Sequence, residues 1–474
     1  MKYEAVIGLE VHAQLLTASK MFCGCTAAYA GAPPNTVVCP ICLGMPGVLP
    51  VINRRAVEFT IRTALALNCE IPEASKFDRK NYPYPDLPKG YQISQYDLPF
   101  SRNGWLEIVG EAGPRRIGIE RVHLEEDTGK LTHLSDGSLV DFNRSGVPLM
   151  EIVSRPDIRT PAEARAYLQK LRLILRTIGV SSGNMEEGSF RCDANISLRP
   201  SGQTDYGVKA EVKNMNSFRS VQRALEFEIE RQTAMLERGE RVVQETRGWF
   251  EDRGVTVSQR SKEFAHDYRY FPEPDLPPVF VSREWVAELE RALPELPDAR
   301  RERFAEQYQL SAYDAAQLTS SRAQADFFEQ AVARYPKPKQ IANWIQGDLA
   351  RLQHRAAAEE EDSGVTPEQL TDLIKLVDDG ALSIAAGRQV LGALYGTRKS
   401  ATEAVEGMGL AQISDESELE RWVSEAISSN PRAVEDYRAG KSGAINFLAG
   451  QVMRASQGKA NPNLVRELVE KQLG

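Results

Sequence analysis

Ser189-Phe190-Arg191-Cys192-Asp193-Ala194-Asn195-Ile196-Ser197-Leu198-Arg199 alternates polar and apolar side chains along its whole length. A strand sends successive side chains to opposite faces. Phe190, Cys192, Ala194, Ile196 and Leu198 therefore share one face, and Arg191, Asp193, Asn195, Ser197 and Arg199 the other. The polar turn PSGQTDYG (200–207) follows, and VKAEVK (208–213) reads as the second arm of a hairpin. The stretch predicts an antiparallel sheet with one face for a core and one polar face.

The same pattern extends outward. MKYEAVIGLEVHAQL places Tyr3, Ala5, Ile7, Leu9 and Val11 on one side, and Glu4, Gly8, Glu10, His12 and Gln14 on the other. RRIGIERVHLEED (115–127) alternates more weakly. Helices interrupt the strands. Thr160-Pro161-Ala162-Glu163 forms a capping box with proline in the first turn, and Gly179 is its stop. A second helix is expected from near Ser217 to Gly239. Hairpins outnumber regular βαβ units, so the class is α+β with a mostly antiparallel sheet. The proline cluster FPEPDLPPVF (271–280) and PELPD (294–298) end this region. Helical periodicity follows, including a helix capped at Thr366-Pro367 after the charged stretch AAAEEEDSG, and N-cap pairs at Asn430-Pro431 and Asn461-Pro462. The expected division is a sheet domain over 1–292, a helical domain over 293–408 and a small helical tail over 409–474.

Composition narrows the function. The 474 residues are 42% hydrophobic and 26% charged, with a net charge of −8. An acidic chain does not coat nucleic acid indiscriminately, although it can carry a local basic patch. DNA is not an expected partner. No apolar run approaches the roughly 20 residues that span a bilayer, and the N-terminus lacks a signal-peptide pattern, so the expected location is cytoplasmic, away from membranes.

Three clusters carry chemistry. Cys23-Gly24-Cys25 and Cys39-Pro40-Ile41-Cys42 are separated by 13 residues, and four thiolates so spaced can close a structural zinc site. The alternative is a set of incidental cysteines, as Cys69 and Cys192 are read to be. Glu10 and His12 share a strand face, as do His123 and Glu125 on another segment that also carries Glu126, Asp127 and Lys130. Crowded acids beside histidines call for a cation, and magnesium with nucleotide phosphates supplies one. A solvated strand face is the plainer alternative. FDRKNYPYPDLPKGYQISQYDLPF (77–100) interleaves Arg79, Lys80 and Lys89 with Tyr82, Tyr84, Tyr91 and Tyr96, either as a phosphate- and base-binding loop or as a rigid surface loop. On the hairpin, Arg191, Asp193, Asn195, Lys209, Glu211 and Lys213 form either a salt-bridged solvent face or the floor of a phosphate-binding cleft. No P-loop is present, since Glu435 stands where the first glycine before Gly440-Lys441-Ser442 is required. Dinucleotide, G-x-S-x-G and glycine- and serine-rich amidase signatures are also absent.

VIGLEVHAQL, CPICLGMPGVLPVIN, DRKNYPYPDLPKGYQISQY, HLEEDTGK, DFNRSGVPLMEIV, NMEEGSFRCDAN, EVKNMNSFR, DYRYFPEPDL and FLAGQVMRASQGKANP resemble signatures of the B subunit of bacterial aspartyl/glutamyl-tRNA amidotransferases, the GatB family. The resemblance implies a cradle-shaped catalytic domain, a helical domain and a mobile tail. It implies ATP-dependent phosphorylation of the side-chain carboxylate of Glu-tRNA(Gln) or Asp-tRNA(Asn), then displacement of phosphate by ammonia. It also implies a heterotrimer in which an amidase A subunit supplies that ammonia and a small C subunit completes the assembly. Glu10, His12 and Glu125 match the family's magnesium positions, with Asp193 and Glu211 as further members of the carboxylate cluster. Charge and placement suggest phosphate contacts for Arg79, Lys80, Lys89 and Arg191. Lys441, Arg454 and Lys459, among Gly440, Gly443 and Gly458, suggest a basic tail for the tRNA backbone. Two rivals stand beside this reading: a free-standing ligase for small carboxylic acids, and a noncatalytic RNA-binding adaptor.

Overall fold

The computed structural model describes residues 2–110, 113–261, 268–358, 364–410, 416–438, 443–456, 460 and 462–473. The chain divides into two units, Met1–Pro297 and Asp298–Gly474.

The first unit is built on an eight-stranded sheet. In chain order its strands are β1 (Tyr3–Gln14), β2 (Ser101–Gly110), β3 (Gly113–Glu126), β4 (Pro148–Ser154), β5 (Phe190–Pro200), β6 (Ala210–Lys213), β7 (Glu245–Phe250) and β8 (Val255–Ser261). They lie in the order β8-β7-β6-β5-β1-β4-β3-β2. The alternating stretch from Phe190 onward is β5. It pairs antiparallel with β1 from Tyr3 opposite Pro200 to Ala13 opposite Phe190, and β6 returns beside it as the second arm of the hairpin.

One pairing departs from the hairpin pattern. Strands β6 and β7 run parallel, because helix α3 (Phe218–Glu237) connects them and a parallel pair needs such a crossover. The sequence reading omits β2, β4, β7 and β8: TRGWF carries no clear period-two signal, so β7 takes its place from the crossover rather than from alternation, and β8 returns antiparallel beside it.

Helices α1 (Arg54–Ala66), α2 (Pro161–Thr177) and α3 supply the other half of the core. Ala164, Tyr167, Leu168, Leu171, Ile174 and Leu175 of α2 recur at helical spacing and are buried. With α1 and α3 they pack into one cluster with Leu9, Val11 and Ala13 of β1, Ile152 of β4 and the apolar face of β5. Each large apolar side chain buried there contributes about 1.5–3 kcal/mol. The α2 cap differs in detail from a reciprocal box. Thr160 accepts from the Glu163 N–H, but the Glu163 carboxylate accepts from the N–H of Arg159 at 2.8 Å and pairs with Arg115 at 3.0 Å. The helices thus cover one face of the sheet and leave the polar face uncovered by them.

The second unit is helical, and among the described residues no strand follows Val279–Phe280. It holds two cores, one drawn from Phe304 to Val405 and one from Leu419 to Val469. Thr366 and Gln369 make the reciprocal capping box ahead of Pro367–Asp378. Residues 359–363 of the charged stretch and Asn461 lie outside the described residues. The whole is α+β, a largely antiparallel sheet domain followed by helices, as the sequence leads one to expect. Among the described residues no helix is long and apolar enough to cross a membrane.

Candidate active site and cysteine site

Strand register builds the site. Arg191 of β5 lies opposite His12 of β1, His12 opposite Glu151 of β4, and Glu151 opposite His123 of β3. Directly opposed residues stand within side-chain reach, so four strands place one polar row across the middle of the sheet. His12 Nε2 lies 3.5 Å from Glu151 Oε2 and 3.9 Å from Glu125 Oε1. His123 Nε2 lies 3.2 Å from Glu151 Oε2 and 3.8 Å from Glu125 Oε2. Glu125, two residues beyond His123 on the same face, also accepts from Ser94 Oγ at 2.9 Å. His12, Glu125 and Glu151 each offer a ligand atom within 4.8 Å of the other two.

Burial and charge oppose one another here. Burial resists a charge on His12, but Glu151 and Glu125 raise its pKa to about 9. Burial likewise resists ionisation of Glu151, yet His123 and His12 hold it well below the usual carboxylate range. For Glu125, burial is outweighed by the hydrogen bond from His123 and the charge of Lys80. Two buried carboxylates are tolerable only when cations face them, and a metal ion can take over that role from the imidazole protons.

The remaining sequence candidates fall into distinct places. Glu10 lies one strand repeat from His12 and accepts from Asn195 at 2.9 Å. Burial, then Glu151 and Asp193, push its pKa up. Asp193 and Glu211 both pair with Lys213, at 2.7 and 3.1 Å. A cleft of about 370 Å³ is lined by His12, Glu125, Lys80, Arg191, Asp193 and Lys213. Arg191 is aimed by Asp127, whose carboxylate it meets at 2.9 Å. Lys80 lies 5.1 Å from the ring centre of Tyr268. Arg79 instead makes a two-point pair with buried Glu273, at 2.7 and 2.8 Å. Lys89 meets Glu126 at 2.6 Å and lines a separate cavity beside Cys42. Of the four cations considered for phosphate, Lys80 and Arg191 face the cleft. Arg454 is exposed on the helix Gly443–Ala455, whereas Lys441 and Lys459 lie outside the described residues.

Sequence alone does not single out Glu151, and it gives His123 no ligand-positioning role. Glu151 has a local signal, since it is the lone charge in the apolar run Val147-Pro148-Leu149-Met150-Glu151-Ile152-Val153. Such a carboxylate needs a buried partner. The identity of that partner depends on register, which the run itself does not contain.

The four clustered cysteines converge. The sulfurs of Cys23, Cys25, Cys39 and Cys42 all lie within 4.8 Å of one another. Cys42 Sγ accepts from the Cys39 N–H at 3.1 Å. The turn closes at Gly44, whose φ of +63° and contact with Lys89 leave no room for a Cβ. Hydrogen bonding from Cys23 is the main influence holding Cys42 down at about 4. A four-sulfur donor set suits a closed tetrahedral metal site.

Two family models span most of the chain. The GatB/GatE catalytic domain matches residues 5–287, the unit that holds the cleft and the cysteine loop, and the GatB domain matches 326–473. A GatB-type catalytic domain joined to a helical GatB domain is thus the class of the molecule. Over its full length the chain is 57% identical to the whole B subunit of the aspartyl/glutamyl-tRNA(Asn/Gln) amidotransferase of Moorella thermoacetica. It is 58% identical to the protein of that name from Thermomicrobium roseum and 54% to that from Carboxydothermus hydrogenoformans, covering 99% of each. The chain belongs to the family of aspartyl/glutamyl-tRNA(Asn/Gln) amidotransferase B subunits.

Proposed function

We propose that the cleft activates the side-chain carboxylate of Glu-tRNA(Gln), Asp-tRNA(Asn) or both, and passes the product to ammonia. The carrying observation is the row Arg191, His12, Glu151 and His123, with Glu125 beside it, in a chain of this family. A carboxylate is inert to ammonia, because its leaving group would be oxide. Attack of the carboxylate oxygen on the γ-phosphorus of ATP releases ADP and gives an acyl phosphate. Ammonia then adds to the acyl carbon, loses a proton and expels phosphate, leaving the amide. Phosphoryl transfer needs positioning and charge neutralisation more than a nucleophile from the protein.

His12, Glu125 and Glu151 are the residues that would hold magnesium, two hard carboxylates and an imidazole within mutual reach. When bound, that ion neutralises charge on the nucleotide phosphates. Lys80 and Arg191 supply fixed cations toward the transferring phosphoryl group. Glu10, Asp193 and Glu211 form the outer carboxylates of the cluster, and Lys213 balances two of them. The four cysteines hold a structural zinc ion. The chain carries no amidase signature, so ammonia comes from an amidase A subunit, and a small C subunit completes a cytoplasmic heterotrimer. The sheet domain (1–292), helical domain (293–408) and tail (409–474) divide the work, with Lys441, Arg454 and Lys459 of the tail on the tRNA backbone.

The test is amide formation on both mischarged tRNAs, with and without the partner subunits. ATP-dependent Gln-tRNA or Asn-tRNA formation from supplied ammonia is expected. Amidation of free glutamate or aspartate at the same rate would favour a small-molecule ligase, and tRNA binding without ATP turnover would favour an adaptor.

A further inference from the structure

Lys20 is wholly buried, at 0% exposure. Its backbone is pinned on both sides: its N–H donates to Cys25 O at 2.8 Å, and its carbonyl accepts from Asn53 Nδ2 at 3.1 Å. The side chain runs to the cysteine site. Lys20 Nζ donates to Val37 O at 2.8 Å and lies 3.7 Å from Cys42 Sγ. Among the described residues, no carboxylate pairs with it. Glu126, whose Oε2 also lies near Gly146, is bonded through Oε1 by Lys89 and by the N–H of Ile93.

A buried ammonium is stabilised by an anion placed beside it. Val37 offers only a carbonyl dipole. Among the described residues, the group in contact with Lys20 Nζ that can carry negative charge is the Cys42 sulfur. Four thiolates on one divalent ion retain two negative charges, so a cation in contact with one sulfur is favoured there. We propose that Lys20 is the internal counter-cation of the cysteine site, offsetting part of the charge of a four-thiolate zinc centre and fixing the Cys42 sulfur in its ligating position. The bond to Val37, between the two cysteine pairs, ties the intervening loop to the same ammonium. This proposal rests on the zinc reading above and assigns a positioning residue to it.

The experiment measures zinc loss from the full chain to a chromogenic chelator. Lys20→Met keeps the length of the stem but removes charge and donor, and Lys20→Gln keeps a donor without the charge. Both should release zinc about 10- to 100-fold faster than wild type, the usual loss when a partner of a metal ligand is removed. In cobalt-substituted protein, the sulfur-to-cobalt charge-transfer band should move to lower energy in both variants, because the cation no longer stabilises electrons on sulfur. Should neither variant fold, reductive methylation of the wild-type chain carries the test: Lys20 should resist modification with zinc bound and become reactive once zinc is stripped. Wild-type chain that binds neither zinc nor cobalt overturns the zinc reading and this proposal together. Zinc-loaded wild type whose folded variants release zinc at the wild-type rate, or whose Lys20 is methylated equally with and without zinc, overturns the Lys20 role alone.

Discussion

Glu151 is held between two imidazoles, and His123 reaches both carboxylates of the candidate metal group. A residue so placed fixes which oxygens face a ligand. His123→Ala should therefore weaken manganese or magnesium binding about 10- to 100-fold, measured by titration of the intact chain, whereas His123→Gln should restore part of it through a donor amide. Equal affinity in wild type and His123→Ala would remove that role. Behind the sheet, Glu228 is wholly buried and meets Arg231 at 2.8 Å and Arg247 at 3.0 Å. Breaking such a set by Glu228→Ala should cost about 3–5 kcal/mol in chemical denaturation. Burial resists its ionisation, but the bonds from Arg231 and Thr256 hold its carboxyl below the usual range. A depressed folded pKa gives stability that is complete above the unfolded value of about 4.3 and is lost as pH falls through the folded one. The wild-type chain should thus lose stability more steeply than Glu228→Gln below about pH 4; parallel pH curves would refute the assignment. Single residues of this kind were only half legible in the sequence. Glu10, His12 and Glu125 stand out by alternation, but which of them meet is decided by strands far apart in the chain.

At the scale of elements, local chemistry was most legible where it closes on itself. Phe190–Pro200 reads as a strand because its own alternation supplies the buried face, and α2 starts where Thr160 caps it. Thr160→Ala should cost about 1 kcal/mol of stability by thermal or chemical unfolding, as loss of an N-cap does; no change would mean that Glu163 and Arg159 suffice. Strand β7 was not legible, because a crossover helix and not its own pattern sets it in the sheet, and β8 joins by antiparallel pairing with it. The cysteine loop belongs with the legible group, since its spacing alone suggests four converging sulfurs. Cys39→Ser should drop bound zinc well below one equivalent and open the segment from Cys23 to Gly44 to proteases, with the sheet still folded. Full zinc content in that variant would contradict the four-cysteine site.

In the whole molecule, the buried core of the first unit is drawn entirely from residues before Pro297, and the tail carries a core of its own between Leu419 and Val469. Removing residues after Leu410 should leave the cooperative unfolding of the first unit intact. If the tail carries phosphate contacts, the same deletion should weaken tRNA binding and flatten its dependence on salt; unchanged affinity and slope would place those contacts elsewhere. The central claim is that the polar row on the sheet drives ATP-dependent activation, and one measurement reaches it most directly. Phosphate release from γ-labelled ATP should be followed with mischarged tRNA and the assembled subunits, comparing wild type with Glu125→Ala and Glu151→Ala. Loss of either carboxylate should slow release on the order of 10³-fold, the scale of several kcal/mol of lost transition-state stabilisation, while zinc content and tRNA affinity stay near wild type. Near-normal phosphate release from either folded variant would contradict the account.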